Sequence, residues 1–335
     1  MPHRFARSLL AGLGLAVSMV RAADIIPAAD FARRLPLTSP RLSPDGKYLS
    51  VIYHDPDGKT HGMAIYAVDD MSKPRSLIRM PPYELPASMA WVSPTRIVVA
   101  RGMQDGSIGN TRYTGELMAV DMDGKHPDYL YGYEAVGKRS ATRATDRGWG
   151  EIDGLPPKAN GHFYMRATSW NDQNRSTLYD VDATSSTRRQ IADIGLGDMS
   201  FMLAENGDAR FAYGTDENYK YVVFHREGSG WNKLGTDLTG QRFEPVAQVA
   251  GSQRIYAKYS PGGHGGELVE QDEDGGNRKR LGGDTFSDVT SGGLWTPAPL
   301  RPFGVMPETG APGVTYFDQN EPISKLHRAL SQKFP

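Results

Sequence analysis

The sequence predicts an all-β chain, a β-propeller of four-stranded blades with about six blades present. Three observations lead there. Turn clusters followed by short β-rich runs recur along the chain. They recur at a period of roughly 40–50 residues, the mark of a blade-like repeat. The composition, with 38 Gly, 23 Pro and 16 Tyr in 335 residues, favours many short strands and turns over helices.

The elements follow in order. Arg4 and Arg7 form a basic start, Leu9 to Val20 is an uncharged apolar run, and Arg21 and Ala22 end it. The run is too short to cross about 30 Å of hydrocarbon, which takes roughly 20 residues. It is read as a secretory signal peptide, residues 1–22, cut after Ala22; the alternative is a retained anchor. No second run of spanning length follows. Residues 23–40 form a lead-in in which Ile25, Ile26, Phe31, Leu35 and Leu37 can pack as a short helix or arm, stopped by Pro36 and Pro40.

The propeller domain is expected over 41–335. Its clearest unit is Leu42-Ser-Pro-Asp-Gly-Lys-Tyr-Leu-Ser-Val-Ile-Tyr53. Pro44 presets its φ, Asp45 can bond its own backbone, and Gly46 accepts a positive φ. The alternation after the turn sets Leu49, Val51 and Tyr53 against Tyr48, Ser50 and Ile52. Similar turn-and-strand units open at Trp91, Pro157, Ala204 and Val249. Each unit closes on an apolar strand, ending at Asp69, Asp121, Asp182, His225, Asp272 and Asp318. The blades are expected at 41–85, 86–138, 150–197, 198–240 and 241–286, with a sixth from Ser287. A β-sandwich is the competing all-β fold, but it needs no such internal period. One four-stranded sheet cannot cover both its faces, whereas sheets packed radially can.

The longest step, from Asp121 to Asp182, places extra residues near 131–150, where Lys138, Arg139, Arg143 and Arg147 form a basic group. This is read as a solvated loop; contact with a second domain or an acidic ligand is the functional alternative. Near the end, Ile323, Leu326 and Leu330 share one face of a short helix opened by Pro322. The chain then stops at Pro335, and the domain is expected to be truncated in a late blade.

Charge excludes one class of partner. Without residues 1–22 the chain loses Arg4, Arg7 and Arg21, leaving 35 basic against 39 acidic residues, a net charge of about −4. That gives no electrostatic case for nucleic acid. The absence of cysteine removes disulfides and thiol nucleophiles, and suits a periplasmic or extracellular location.

Ile26-Pro-Ala-Ala-Asp-Phe-Ala-Arg-Arg34 and Leu42-Ser-Pro-Asp-Gly-Lys-Tyr-Leu-Ser-Val51 resemble the start of exported bacterial members of the prolyl oligopeptidase family of serine peptidases. The acylaminoacyl-peptidase and dipeptidyl-peptidase branch is the most similar. Asp288-Val289, Tyr316-Phe-Asp318 and the ending from Leu326 to Pro335 are similar to its later blades. The likeness covers most of the mature chain, although Ser-Pro-Asp-Gly is common to many propellers. It implies a propeller, usually of seven blades, that restricts access to a C-terminal α/β-hydrolase domain bearing a Ser-Asp-His triad. Against that pattern the chain is expected to lack the hydrolase domain, so no catalytic residue carries over.

The residues themselves carry no convincing catalytic constellation. No serine stands in Gly-x-Ser-x-Gly; Ser107 and Ser260 have only the downstream glycine. His54, Asp55, Asp57 and His61 are ligand types in one hairpin loop, but Asp55-Pro-Asp-Gly58 is a full turn signal by itself. Asp121-x-Asp-Gly124 and Asp272-x-Asp-Gly275 begin like calcium loops and do not continue as such. Gly262-Gly-His-Gly-Gly266 lacks the Lys-Ser/Thr of a phosphate loop, and His264 at its tip has no assigned contact. Trp91, Trp149, Trp170, Trp231 and Trp295 are read mainly as packing between sheets, with sugar or peptide stacking as the alternative. No catalytic, cofactor-binding or metal-binding residue is assigned.

The expected function is that of the substrate-gating propeller of an exported prolyl-oligopeptidase-like peptidase, inactive alone. The expected partners are a peptide substrate or a hydrolase domain supplied elsewhere, with no nucleic acid and no membrane after signal cleavage. The alternative is a free-standing periplasmic propeller that binds protein or peptide. A propeller lactonase or glycosidase would need a motif that the chain does not show.

Overall fold

The computed structural model describes residue 27 and residues 35–104, 110–134, 146–263, 265–284, 286–289, 293–306 and 313–334. The signal peptide, most of the lead-in, Lys138, Arg139, Arg143, Ser107 and His264 lie outside the described residues.

Six antiparallel sheets follow one another, each built from consecutive strands. Blade 1 holds β1 (Leu37–Leu42), β2 (Tyr48–His54), β3 (His61–Ala67) and β4 (Ser76–Arg79). Blade 2 holds β5 (Glu84–Trp91), β6 (Arg96–Gln104), β7 (Thr111–Asp121) and β8 (Asp128–Tyr131). Blade 3 holds β9 (Gly148–Gly154), β10 (His162–Ser169), β11 (Asp172–Asp182) and β12 (Arg188–Ile194). Blade 4 holds β13 (Ser200–Leu203), β14 (Ala209–Thr215), β15 (Tyr221–Glu227) and β16 (Gly230–Lys233), followed by the single-turn α1 (Thr236–Thr239). Blade 5 holds β17 (Arg242–Gln248), β18 (Arg254–Ser260), β19 (Glu267–Asp272) and β20 (Lys279–Gly283). Blade 6 shows three strands among the described residues, β21 (Gly293–Trp295), β22 (Pro302–Val305) and β23 (Thr315–Tyr316), and then α2 (Pro322–Lys333).

The core is divided among the blade junctions, as a radial array requires and two stacked layers would not. Ile52, Met63 and Ile65 of blade 1 pack on Met89, Ile97 and Val99 of blade 2. Leu117 and Tyr131 meet Phe163 and Met165 between blades 2 and 3. Leu178 and Ile194 meet Phe201 and Ala212 between blades 3 and 4. Phe211 meets Phe243 and Val269 between blades 4 and 5, and Leu268 meets Val305 between blades 5 and 6. Burying such side chains contributes roughly 1.5–3 kcal/mol each.

The turn at Pro44-Asp45-Gly46 is built as its residues dictate. Ser43 Oγ donates to Asp45 Oδ1 at 2.7 Å, the Gly46 N–H donates to the Ser43 carbonyl at 2.9 Å, and Gly46 has φ 71°. Its position in the blade differs from expectation. It joins the first strand to the second, so the sheet starts at Leu37 and not at 41. The later sheets start at Glu84, Gly148, Ser200, Arg242 and Gly293. Alternation along β2 is also muted, because Ser50, Val51 and Ile52 are all buried in a sheet covered on both faces.

At the C-terminus, α2 begins at Pro322 as its residues predict. It rests on blade 6 through buried Ser324 and through His327, whose Nδ1 lies 2.8 Å from the Tyr316 hydroxyl and whose ring meets Phe303 edge-on. Leu326 and Leu330 point outward, so the apolar face read from spacing is not the packed one.

Candidate functional site

The first hairpin turn of every blade lies at one end of the ring. There, turns from four blades enclose a cavity of about 610 Å³. Blade 1 supplies Arg41, Leu42 and Pro44, and blade 2 supplies Met89 to Val92. Blade 3 supplies Leu155, Pro156, Pro157, Ala159 and His162, and blade 6 supplies Pro297, Ala298 and Leu300.

Each wall is fixed by hydrogen bonds that leave its apolar groups facing the hollow. Trp91 is buried because its Nε1–H donates to Ser50 Oγ at 2.9 Å and to the Arg41 carbonyl at 3.3 Å. The blade 3 turn is pinned to blade 2 by the Gly161 N–H on the Val92 carbonyl at 2.8 Å. The neighbouring turn between β11 and β12 bonds it through the Ala183 N–H on the Gly161 carbonyl at 2.9 Å, and is itself held to blade 2 by Arg96 Nε–H on the Ala183 carbonyl at 2.7 Å. His162 is tied to Asp180, with Nδ1 2.7 Å from Oδ1. The blade 6 turn is closed by Thr296, which exchanges backbone and side-chain bonds with Pro299 and Arg301.

The rim leaves Leu42, Leu155 and Leu300 respectively 60%, 45% and 44% exposed. Leucines kept in water around a concave, proline-lined wall make an exposed apolar surface of the kind that contact sites use. Arg41 and His162 are the titratable side chains of the lining.

The ligand-type residues singled out by spacing are placed elsewhere. His54 and His61 do meet, with Nδ1 atoms 3.1 Å apart. Asp57 does not join them; it accepts the Lys59 and Thr60 N–H groups, each at 2.8 Å, and caps its own turn. Asp121 binds Arg96 and His126, each at 2.7 Å, and Asp123 accepts the Lys125 N–H. Asp272 pairs with Arg254 at 2.9 Å, and Asp274 accepts the Gly276 N–H. Gly266 donates to Asp288 beside a 230 Å³ hollow between blades 5 and 6. Arg147, from the basic group, lies over the Tyr133 ring at 5.9 Å. Trp231 packs between blades, donating Nε1–H to the Asp193 carbonyl at 2.7 Å, and Trp295 meets the Tyr256 ring edge-on.

Histidine–carboxylate pairs occur at His126–Asp121, His162–Asp180 and His225–Glu273. None of these histidines bonds a serine hydroxyl among the described residues. The most perturbed carboxyl is Asp153, pushed up to about 6 by burial against the attraction of Arg166. A carboxyl titrating near neutrality is a type that active sites use. Here its Oδ2 accepts the Phe201 N–H at 3.2 Å, which is a structural task at the junction of blades 3 and 4.

The mouth was not legible as a motif. Its residues come from turns nearly the whole chain apart; the shared signal is proline or leucine in the first turn of units 1, 3 and 6.

No family model and no curated protein matches the chain. Among solved structures, a prolyl endopeptidase aligns at 13% identity and TM-score 0.43, over 73% of this chain and 34% of its own. TolB from Acinetobacter baumannii aligns at 15% identity and TM-score 0.42, over 81% and 66%. The β-propeller domain of the Trilobed protease from Pyrococcus furiosus aligns at 12% identity and TM-score 0.45, over 86% of each chain. This chain thus spans about a third of the length of the prolyl endopeptidase. Likenesses at these scores assign neither a family nor an activity.

Proposed function

We propose that this chain is the substrate-admitting ring of an exported, periplasmic prolyl-oligopeptidase-like system, a propeller that receives peptides and does not itself cut them. The observation that carries this reading is the apolar mouth, walled by leucine and proline from blades 1, 3 and 6 and by Met89 to Val92 of blade 2, with Arg41 and His162 its titratable side chains. Extended segments with proline fit such a wall because their conformation is largely preset and they lose little entropy on binding. The family resemblance of the segments beginning at Ile26 and Leu42 supports the same reading. The hydrolytic groups would be supplied by a hydrolase domain.

The test uses the whole chain. A fluorophosphonate serine probe is expected to leave it unlabelled, and fluorescent apolar peptides containing proline are expected to bind without cleavage. Leu155→Asp or Leu300→Asp should weaken that binding about tenfold or more, because a bound apolar chain would bury the new charge without a partner. Serine labelling, peptide turnover, or binding indifferent to both substitutions would refute the reading.

A further inference from the structure

At the opposite end of the ring, a second hollow of about 370 Å³ opens where β7, β9 and β11 begin. Tyr113 and Trp149 form its aromatic wall, and Glu151, Gln173 and Asp198 its polar one. Nothing in the linear sequence joins these residues. The fold brings them together from three blades.

The aromatic wall is built and braced. Trp149 and Trp170 meet edge to face with centroids 5.8 Å apart, and Tyr133 stacks on Trp170 at 5.8 Å with planes 23° apart. Trp149 nevertheless stays 41% exposed and Tyr113 58% exposed. Gly115 permits this approach. Its φ is +78°, and a Cβ there would stand 2.6 Å from Trp149 Cα.

The polar wall is anionic. Glu151 pairs with Arg166. Asp198 forms no ion pair with any described residue. Aromatic faces carry negative potential, as carboxylates do, so both walls attract a cation and repel an anion. A neutral sugar can also stack on these rings and donate its hydroxyls to the carboxylate, but only a cation gains from the negative potential of both walls at once.

We propose that this hollow binds an alkylammonium or guanidinium group, the side chain of a lysine or arginine presented by a peptide. The site stands apart from the mouth and does not depend on its occupancy.

The test titrates the full chain with N-acetyl-arginine methylamide and N-acetyl-lysine methylamide, followed by calorimetry and tryptophan fluorescence. The citrulline and norleucine analogues serve as uncharged controls, and methyl glucoside tests the sugar alternative. The basic probes are expected to bind at least about tenfold more tightly than their neutral counterparts, and to weaken as salt rises. Trp149→Ala and Asp198→Asn should each weaken them roughly threefold to thirtyfold. Asp198→Asn is isosteric and exposed, so its melting temperature should match the parent's and the loss can be read as binding. Leu155→Asp, at the mouth, should leave these affinities unchanged. No binding of either basic probe, equal binding of citrulline, tighter binding of the glucoside, or affinities unmoved in both Trp149→Ala and Asp198→Asn would overturn the proposal.

Discussion

Asp153→Asn offers a direct reading of how the ring holds charge. The Asp153 side chain is 13% exposed, and burial lifts its carboxyl from 3.8 to about 6. A rise of that size corresponds to about 3 kcal/mol, at ~1.4 kcal/mol per pH unit. The sign follows from proton counting. Between about pH 4 and 6 the folded chain holds a proton that the unfolded chain has released, so stability falls as pH rises through that window. Above it, the ionised carboxylate costs the fold its full amount. The asparagine variant removes the titration, keeps an oxygen to accept the Phe201 N–H, and leaves Arg166 paired with Glu151. Urea unfolding of parent and variant should give similar free energies near pH 4. By pH 8 the variant should be the more stable, by up to about 3 kcal/mol. Parallel pH curves, or a variant weaker than its parent at pH 8, would refute the reasoning.

Two further substitutions probe packing. Gly62→Ala would set a Cβ 2.1 Å from the Ile78 carbonyl oxygen and 2.8 Å from the Tyr53 ring. It should cost about 1–3 kcal/mol and lower the melting temperature, whereas Gly195→Ala, with nothing within 4 Å, should change it little. Trp91→Phe deletes the donor shared by Ser50 and the Arg41 carbonyl, and should lose about 1–3 kcal/mol in denaturant unfolding.

The second to fourth strands of most blades were legible because they carry β-branched and aromatic runs after obvious turns. The first strands were not, and proline is the reason. Pro40, Pro86 and Pro245 sit in β1, β5 and β17, and each lies at a break in pairing register with the second strand. Proline is confined to edge strands and bulges because it donates no ladder bond. The innermost strand of a blade is such an edge, so what reads as a strand breaker marks the strand nearest the axis. The two hollows were hidden for another reason. Leu155 and Leu300, or Tyr113 and Asp198, are unremarkable in their own units and acquire meaning only when the ring sets them side by side.

Those inner edges also explain how one blade depends on the next. A first strand pairs on one side only, and its other backbone groups need partners. The neighbouring blade supplies some of them. Trp91 of blade 2 caps the Arg41 carbonyl of blade 1, and Asp153 of blade 3 accepts the Phe201 N–H of blade 4. Tyr221 of blade 4 donates to the Phe243 carbonyl of blade 5 at 3.0 Å. Each bond crosses a junction whose apolar cluster is also shared, so loss of one blade exposes both an apolar face and an uncapped edge on its neighbour. Interface terms of this kind make a repeat array fold as a unit even though each repeat contacts only its neighbours. The same dependence keeps the mouth in shape, since Trp91 is at once a cap for blade 1 and part of the mouth's lining.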